Sequence, residues 1–248
     1  MAKPRTTLTV LGSERLNPNM VRVRLGGPGF DEFVPSEFTD SYVKMVFVRD
    51  GDETVRTYTV RSVDPVGKEI AIDFVVHGDE GIAGPWAASV QPGATIDVLG
   101  PGGAYAPRTD ADWHLLAGDE AALPAISAAL EALPDHAVGK VFVEVHGPGG
   151  ELDVRRPAGV ELVWLHRNGG AESPLPGAVR GTEWLPGRAH VFIHGEAQTV
   201  MHDLRRYVRR EREVPAEWAS ISGYWRQGRT EEGFRVWKKE LAAAEGVG

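Results

Sequence analysis

The chain has 248 residues, a formal net charge of −8 and no cysteine. The missing cysteines exclude disulfides, thiolate catalysis and cysteine-ligated iron–sulfur clusters, so any redox chemistry must come from a bound cofactor. The acidic balance argues against a nucleic-acid partner. No apolar run approaches the ~20 residues of a membrane span, and Met1-Ala2-Lys3-Pro4-Arg5 leads into no apolar segment, so a cytoplasmic globular protein without a secretory signal is expected.

The first half reads as short strands. Leu8–Leu11, Met20–Leu25 and Tyr42–Val48 alternate or run apolar, followed by Thr54–Arg61, Glu69–Val76 and Thr95–Leu99. Gly, Pro, Asp and Asn fill the gaps. Six such strands with few helical stretches predict a small antiparallel β-barrel. From about residue 112 the pattern changes. Strands at 113–117, 140–145, 160–165, 190–194 and 218–222 alternate with helical stretches ending near Leu133, spanning Ala197–Arg212 and closing at Glu231–Ala244. That alternation predicts an α/β domain with a mainly parallel sheet. The segments 147–150 and 168–176 read as loops.

Four segments combine residue types with a chemical use, and each also has a plainer reading. Arg56-Thr57-Tyr58-Thr59-Val60-Arg61 offers arginines for a diphosphate, a ring for stacking and hydroxyls for hydrogen bonds; it is equally a barrel strand with exposed arginines. In His77 through Ala87 a glycine-rich turn precedes a short helix near Pro85, an arrangement that presents N–H groups to an anion or simply joins two strands. Leu116 through Ile126 places Gly118-Asp119-Glu120 between a strand and a helix, with Asp119 as a candidate N-cap and Pro124 in the first turn. It lacks the GxGxxG fingerprint. Gly223-Tyr224-Trp225-Arg226-Gln227-Gly228-Arg229 follows the last strand, where α/β sheets bind ligands; aromatic and cationic groups there suit a flat anion or pack against the barrel. Arg205–Arg212 and Arg226–Lys239 are locally basic, as solvated helix faces or as an anion site. Arg167, after the third parallel strand, is either an exposed loop residue or a holder of a 2′-phosphate.

In this order and spacing, the four segments resemble the siderophore-interacting protein family, part of the ferredoxin–NADP reductase-like flavoproteins, from about residue 5 to about residue 240. The resemblance implies a two-domain β + α/β protein: an FAD-binding barrel over 1–108 and an NAD(P)H-binding-like α/β domain over 109–248. It implies that Arg56, Thr57, Tyr58 and Thr59 hold flavin by phosphate grip, ring stacking and polar contact. Arg61, Asp73 and His77 join the FAD set, and Ala83-Gly84 leading to Trp86 forms the pyrophosphate loop. The family commonly has Ser or Thr where this chain has Gly84. One hydroxyl contact is therefore missing, and FAD retention is expected to be weaker by roughly 1–3 kcal/mol. Gly118, Asp119, Glu120, Gly195 and Glu196 match the nicotinamide side, with His194 departing from the family's small apolar residue. Lys44, Trp225, Arg226 and Arg229 resemble its basic substrate pocket.

The implied activity is reduction of a ferric siderophore through FAD by NADPH or NADH, with ferredoxin as another possible donor. The implied partner is an anionic Fe(III) chelate, and a monomer is the default. Two rivals stay open: a flavin reductase feeding another acceptor, and a non-catalytic siderophore-binding flavoprotein.

Overall fold

The computed structural model describes residues 4–49, 51–76 and 81–229, together with Gly233, Phe234 and Trp237. His77 and the Glu231–Ala244 stretch, apart from those last three residues, lie outside the described residues.

Seven strands form the first sheet: β1 (Arg5–Asn17), β2 (Met20–Gly26), β3 (Tyr42–Arg49), β4 (Asp52–Thr59), β5 (Ser62–Asp64), β6 (Glu69–Val75) and β7 (Thr95–Gly102). Their order is β4-β3-β7-β1-β2-β6-β5, and all pairs are antiparallel. Alternation drives the curl. Val21, Val23 and Leu25 of β2 point inward with Val43, Met45 and Phe47 of β3, Ile70 and Ile72 of β6 and Val98 of β7. The intervening side chains, such as Arg22 and Arg24, face away from that core. The expected strand at 54–61 ends early, at Thr59, and a further short strand follows it. The Val60 N–H donates to Ser41 O at 2.7 Å, whereas the Arg61 N–H donates to Ala71 O at 2.8 Å. The chain thus leaves β3 and joins β6 between adjacent residues, and this exchange brings the ends of the sheet together. A seventh strand is the consequence. Helix α1 (Ala83–Ser89) plugs the curl with Ala83 and Ala87.

The second sheet is entirely parallel: β8 (Trp113–Asp119), β9 (Gly139–Val145), β10 (Val160–His166), β11 (Ala189–Glu196) and β12 (Ala219–Trp225), in the order β10-β9-β8-β11-β12. β8 is buried along its whole length, as a strand covered on both faces must be. Helix α2 (Leu123–Ala132) covers one face. Helix α3 (Leu175–Gly181) and helix α4, which runs through Gln198–Leu204 and Tyr207–Glu211, cover the other. The strand order reverses between β8 and β11, which makes the C-terminal ends of those strands the topological switch point.

Three expectations need correction. Asp119 is the last residue of β8 and not an N-cap: α2 begins at Leu123 behind Ala122, with no side-chain cap. Helix α4 has π-type bonding, with Arg205 N–H donating to Val200 O and Arg212 N–H to Tyr207 O at 3.0 Å; α and π turns share the same apolar spacing, so the sequence does not separate them. β12 continues to Trp225, paired with β11 across a bulge at Gly195/Glu196, so Gly223, Tyr224 and Trp225 belong to the strand and do not follow it.

The sheets share packing. Met20 and Val75 of the barrel join the core formed by α2, β8 and β9. Asp40 Oδ1 accepts from the Ala104 and Tyr105 N–H groups at 2.8 Å each, fastening the connection between the sheets. Tyr105 then stacks on His190 at 4.7 Å.

Candidate functional site

β4 presents its residues in two directions. Tyr58 turns toward the barrel core and lies 4.4 Å from the Phe74 ring, while remaining half-buried. Arg56 is half-buried on the same side, its guanidinium donating to Val55 O at 3.0 Å. Thr57 and Thr59 face the other way, with Lys44 directly across from Thr57 and Tyr42 across from Thr59. Thr57 and Lys44 are exposed. Thr59 is buried and shares a hydrogen bond with the Tyr224 hydroxyl of β12. Burial and the nearby Asp40 carboxylate push the Tyr224 phenol above its ordinary pKa, so it stays protonated.

Phe74 joins this strand to α1, since its ring lies 5.6 Å from Trp86. Trp86 also meets Phe47 edge-on at 5.4 Å. Beside them an open groove of about 420 Å³ is lined by Arg5, Phe47, Arg49, Ile82, Trp86 and Asp97, among others. Aromatic walls with arginine at the rim suit a flat group carrying negative charge. Gly84 stands at the head of α1, where a β-carbon would make only ordinary contact with Val75 O at 3.5 Å. The position therefore tolerates a side chain.

Tyr224 leads to the switch point. Its neighbour Trp225 donates the indole N–H to Asp119 Oδ2 at 2.7 Å. The same oxygen accepts the Glu196 N–H at 2.8 Å, and Asp119 Oδ1 accepts the Ala121 N–H at 2.9 Å. One carboxylate thus ties together the ends of β8, β11 and β12. Burial raises its pKa to about 7, against the opposing effect of the Trp225 hydrogen bond and with help from the neighbouring Glu120 charge. Gly195 makes room for it: φ is +144°, and a β-carbon there would lie 2.7 Å from Asp119 Oδ2. Gly118 is equally crowded, with a β-carbon reaching His194 O at 2.5 Å. His194, the residue that departs from the family pattern, stacks on Phe192 at 3.9 Å and bonds Ser220 Oγ at 2.9 Å.

The structure therefore brings together two groups of the expected residues. One runs along β4 and α1 through Phe74, with Arg56, Thr57, Tyr58, Thr59, Ala83, Gly84 and Trp86. The other gathers Gly118, Asp119, Glu120, Gly195, Glu196 and Trp225 at the switch point, and the Tyr224–Thr59 bond connects the two. Several of these side chains already have internal duties. The Glu196 carboxylate accepts from the Thr199 and Gln227 N–H groups, and Glu120 is ion-paired to Arg167. Arg226 reaches Gln198 Oε1 at 2.9 Å and lies 4.6 Å over the Trp237 ring, and Arg229 is exposed nearby.

Two expected residues lie elsewhere. Asp73 is buried in a two-point pair with Arg22, at 2.6 and 2.8 Å. Arg61 is paired with Glu131 of α2. Both line a smaller cleft of about 210 Å³ between the sheets, with Ser127 and Leu152. Much of the basic segment on α4 is likewise internal: Arg209 donates to Val214, Ala216 and Ala219 carbonyls, and Arg212 to the Tyr207 hydroxyl. Sequence reasoning missed Phe74 and Phe47, which carry no pattern beyond that of a core strand; Tyr224 lay in a segment already singled out, but its bond to Thr59 was not legible there.

Comparison with known proteins bears on this arrangement. Residues 111–228 match the family described as siderophore-interacting protein, and residues 9–55 and 49–105 match the siderophore-interacting FAD-binding domain. An uncharacterized protein of Mycobacterium tuberculosis is 55% identical over 98% of this chain and 98% of its own length. The ferric vibriobactin reductase ViuB of Vibrio cholerae is 32% identical over 88% of each chain. The solved structure of a siderophore utilization protein from T. fusca is 34% identical and superposes with a TM-score of 0.84, covering 93% of this chain and 95% of that one.

Proposed function

The chain belongs to the siderophore-interacting protein family, and from that premise we propose that it is an FAD-dependent oxidoreductase. It takes electrons from a reduced nicotinamide dinucleotide and delivers them to the iron of a ferric siderophore, releasing Fe(II) in the cytoplasm. The observation that carries this reading is the continuous path Trp86–Phe74–Tyr58, Thr59–Tyr224, Trp225–Asp119. It leads from the barrel groove to the switch point of the parallel sheet, so one elongated ligand on the barrel could meet a second ligand at the sheet edge.

The residues present fit a flavin dinucleotide. Tyr58 offers a half-exposed ring face, and Thr57 offers an exposed hydroxyl on the opposite side of β4, next to Thr59, whose hydroxyl is bonded to Tyr224. Arg56 and Arg49 supply positive charge for phosphates. Ile82 and Trp86 at the start of α1 form an apolar wall of the groove. Asp73 and Arg61 are not needed as contacts, since Arg22 and Glu131 hold them. When bound, the flavin supplies the exchange between a two-electron hydride donor and single-electron delivery.

The chain's own tasks are positioning and exclusion. Asp119 fixes the Trp225 indole beside Tyr224, and the Gly118 and Gly195 backbones let that edge close tightly. Lys44, Arg226 and Arg229 offer charge to an anionic Fe(III) complex, over a range that salt limits to about 8–10 Å. Fe(II) is held less tightly by hard oxygen chelators, so reduction releases it. The relation to a ferric vibriobactin reductase supports this substrate class.

The test is the visible spectrum of the purified protein under anaerobic conditions, before and after addition of NADH and of NADPH. A yellow protein bleached by one of them supports the reading. A colourless protein that takes up no added FAD would overturn it. A yellow protein bleached by neither would remove the nicotinamide donor and leave reduced ferredoxin as the donor to assay.

A further inference from the structure

The ends of β8, β9 and β10 carry an ion-pair network with no assigned role. Arg167, the residue after β10, donates through Nη2 to both oxygens of Glu120 at 2.6 and 2.8 Å and through Nη1 to Glu144 Oε1 at 2.8 Å. Ser173 donates its hydroxyl to the other Glu144 oxygen. The carboxylate side chains are only 9% and 6% exposed, and that of Arg167 is 22% exposed. The Arg167 backbone is fastened as well, its N–H donating to Val145 O at 3.0 Å. Two carboxylates and one guanidinium leave this edge with net negative charge. Arg167 is also the one arginine or lysine within two residues of the C-terminal ends of these three strands.

A dinucleotide crossing the switch point of a doubly wound sheet sets its adenosine ribose at such strand ends. There a carboxylate suits free ribose hydroxyls, and an arginine is what accommodates a 2′-phosphate. In this chain the arginine is already committed. Turning Arg167 toward a phosphate would leave two buried carboxylates without a counter-charge, which is strongly unfavourable. We propose that the Glu120–Arg167–Glu144 bridge selects the nicotinamide donor, admitting NADH and rejecting NADPH. The inference rests on the reading that a nicotinamide dinucleotide is the donor.

The experiment is calorimetric titration of the FAD-loaded protein with NAD⁺ and with NADP⁺, which reads binding without turnover. NAD⁺ is expected to bind at least about tenfold more tightly, and the gap is expected to shrink as salt is raised, because it arises from like-charge repulsion. NADP⁺ binding equally well or better would overturn the proposal, as would a ratio indifferent to salt. In Glu144→Gln one negative charge is removed and Arg167 keeps only a neutral acceptor there, so the affinity ratio should move several-fold toward NADP⁺. An unchanged ratio in a folded variant would contradict the proposal, and the salt series on the wild-type chain decides the matter if the variant does not fold. Binding of neither nucleotide, with no bleaching by either, would overturn the donor reading itself and this proposal with it, an outcome distinct from a preference for NADP⁺.

Discussion

Asp119 holds three strand ends with two oxygens and sits where the Gly118-Asp119-Glu120 segment drew attention in the sequence. Its partners were not legible there, because Trp225 is 106 positions away and the Glu196 N–H belongs to another strand. The sequence offered an N-cap for Asp119; the parallel register of β8, β11 and β12 made it a clasp. Its carboxyl titrates near 7 in the folded chain, against about 3.9 unfolded. The folded state therefore holds an extra proton between those values. Asp119 accordingly favours folding most below about pH 4 and loses that contribution as the pH rises through about 7. In Asp119→Asn an NH₂ group must face one of the N–H donors, and a destabilisation of roughly 1–3 kcal/mol is expected in denaturant titration. The same variant should lose the pH-dependent change in tryptophan emission near neutrality that the wild type shows; a change that persists would assign it to another group. Tyr58→Ala removes the ring face proposed to meet flavin, and its FAD affinity should fall at least about tenfold, measured by flavin fluorescence on titration.

Among the elements, β4 and β5 show how one strand pattern divides. Thr54–Arg61 reads as a single strand because nothing in its alternation marks the change of partner at Val60/Arg61. The five parallel strands were legible because each is an apolar run bounded by turn residues, and β8, buried throughout, is the clearest. The basic stretch on α4 was not, since composition cannot distinguish a solvated arginine from one that closes a helix end as Arg209 does. Two ion pairs of similar appearance in sequence differ in the fold. Arg22–Asp73 joins β2 to β6 with the aspartate 2% exposed, whereas the Glu131 partner of Arg61 is 36% exposed. Asp73→Ala should therefore cost roughly 3 kcal/mol. Glu131→Ala should cost less than about 1 kcal/mol, both read from unfolding midpoints. Equal losses would mean that the inter-sheet pair matters more than its exposure implies.

Across the molecule, stability and acid response meet at the N-terminal ends of β8 and β11. His114 and His190 lie 6.0 Å apart and are both buried. Burial lowers each to about 4, with the neighbouring His114 and Arg108 charges adding to the effect on His190. Unfolded histidine titrates near about 6.5, so their contribution is complete above that pH and is lost as the pH falls through about 4. This trend opposes that of Asp119 over nearly the same range. His114→Leu should flatten the fall in stability between about pH 6.5 and 4, whereas Asp119→Asn should make that fall steeper; the same slope in all three proteins would contradict both assignments. The two-sheet plan was legible from the change of pattern near residue 112, but the path joining Trp86, Tyr58, Tyr224 and Asp119 exists only once the sheets dock. That path underlies the central claim, which is electron delivery from the bound flavin to siderophore iron. The most direct measurement is anaerobic mixing of the reduced protein with a ferric siderophore in the presence of an Fe(II)-specific chelator. Return of the oxidised flavin spectrum in step with Fe(II) chelate, at one flavin for two irons, is the expected result; reduced flavin that stays reduced beside the ferric siderophore would contradict the account.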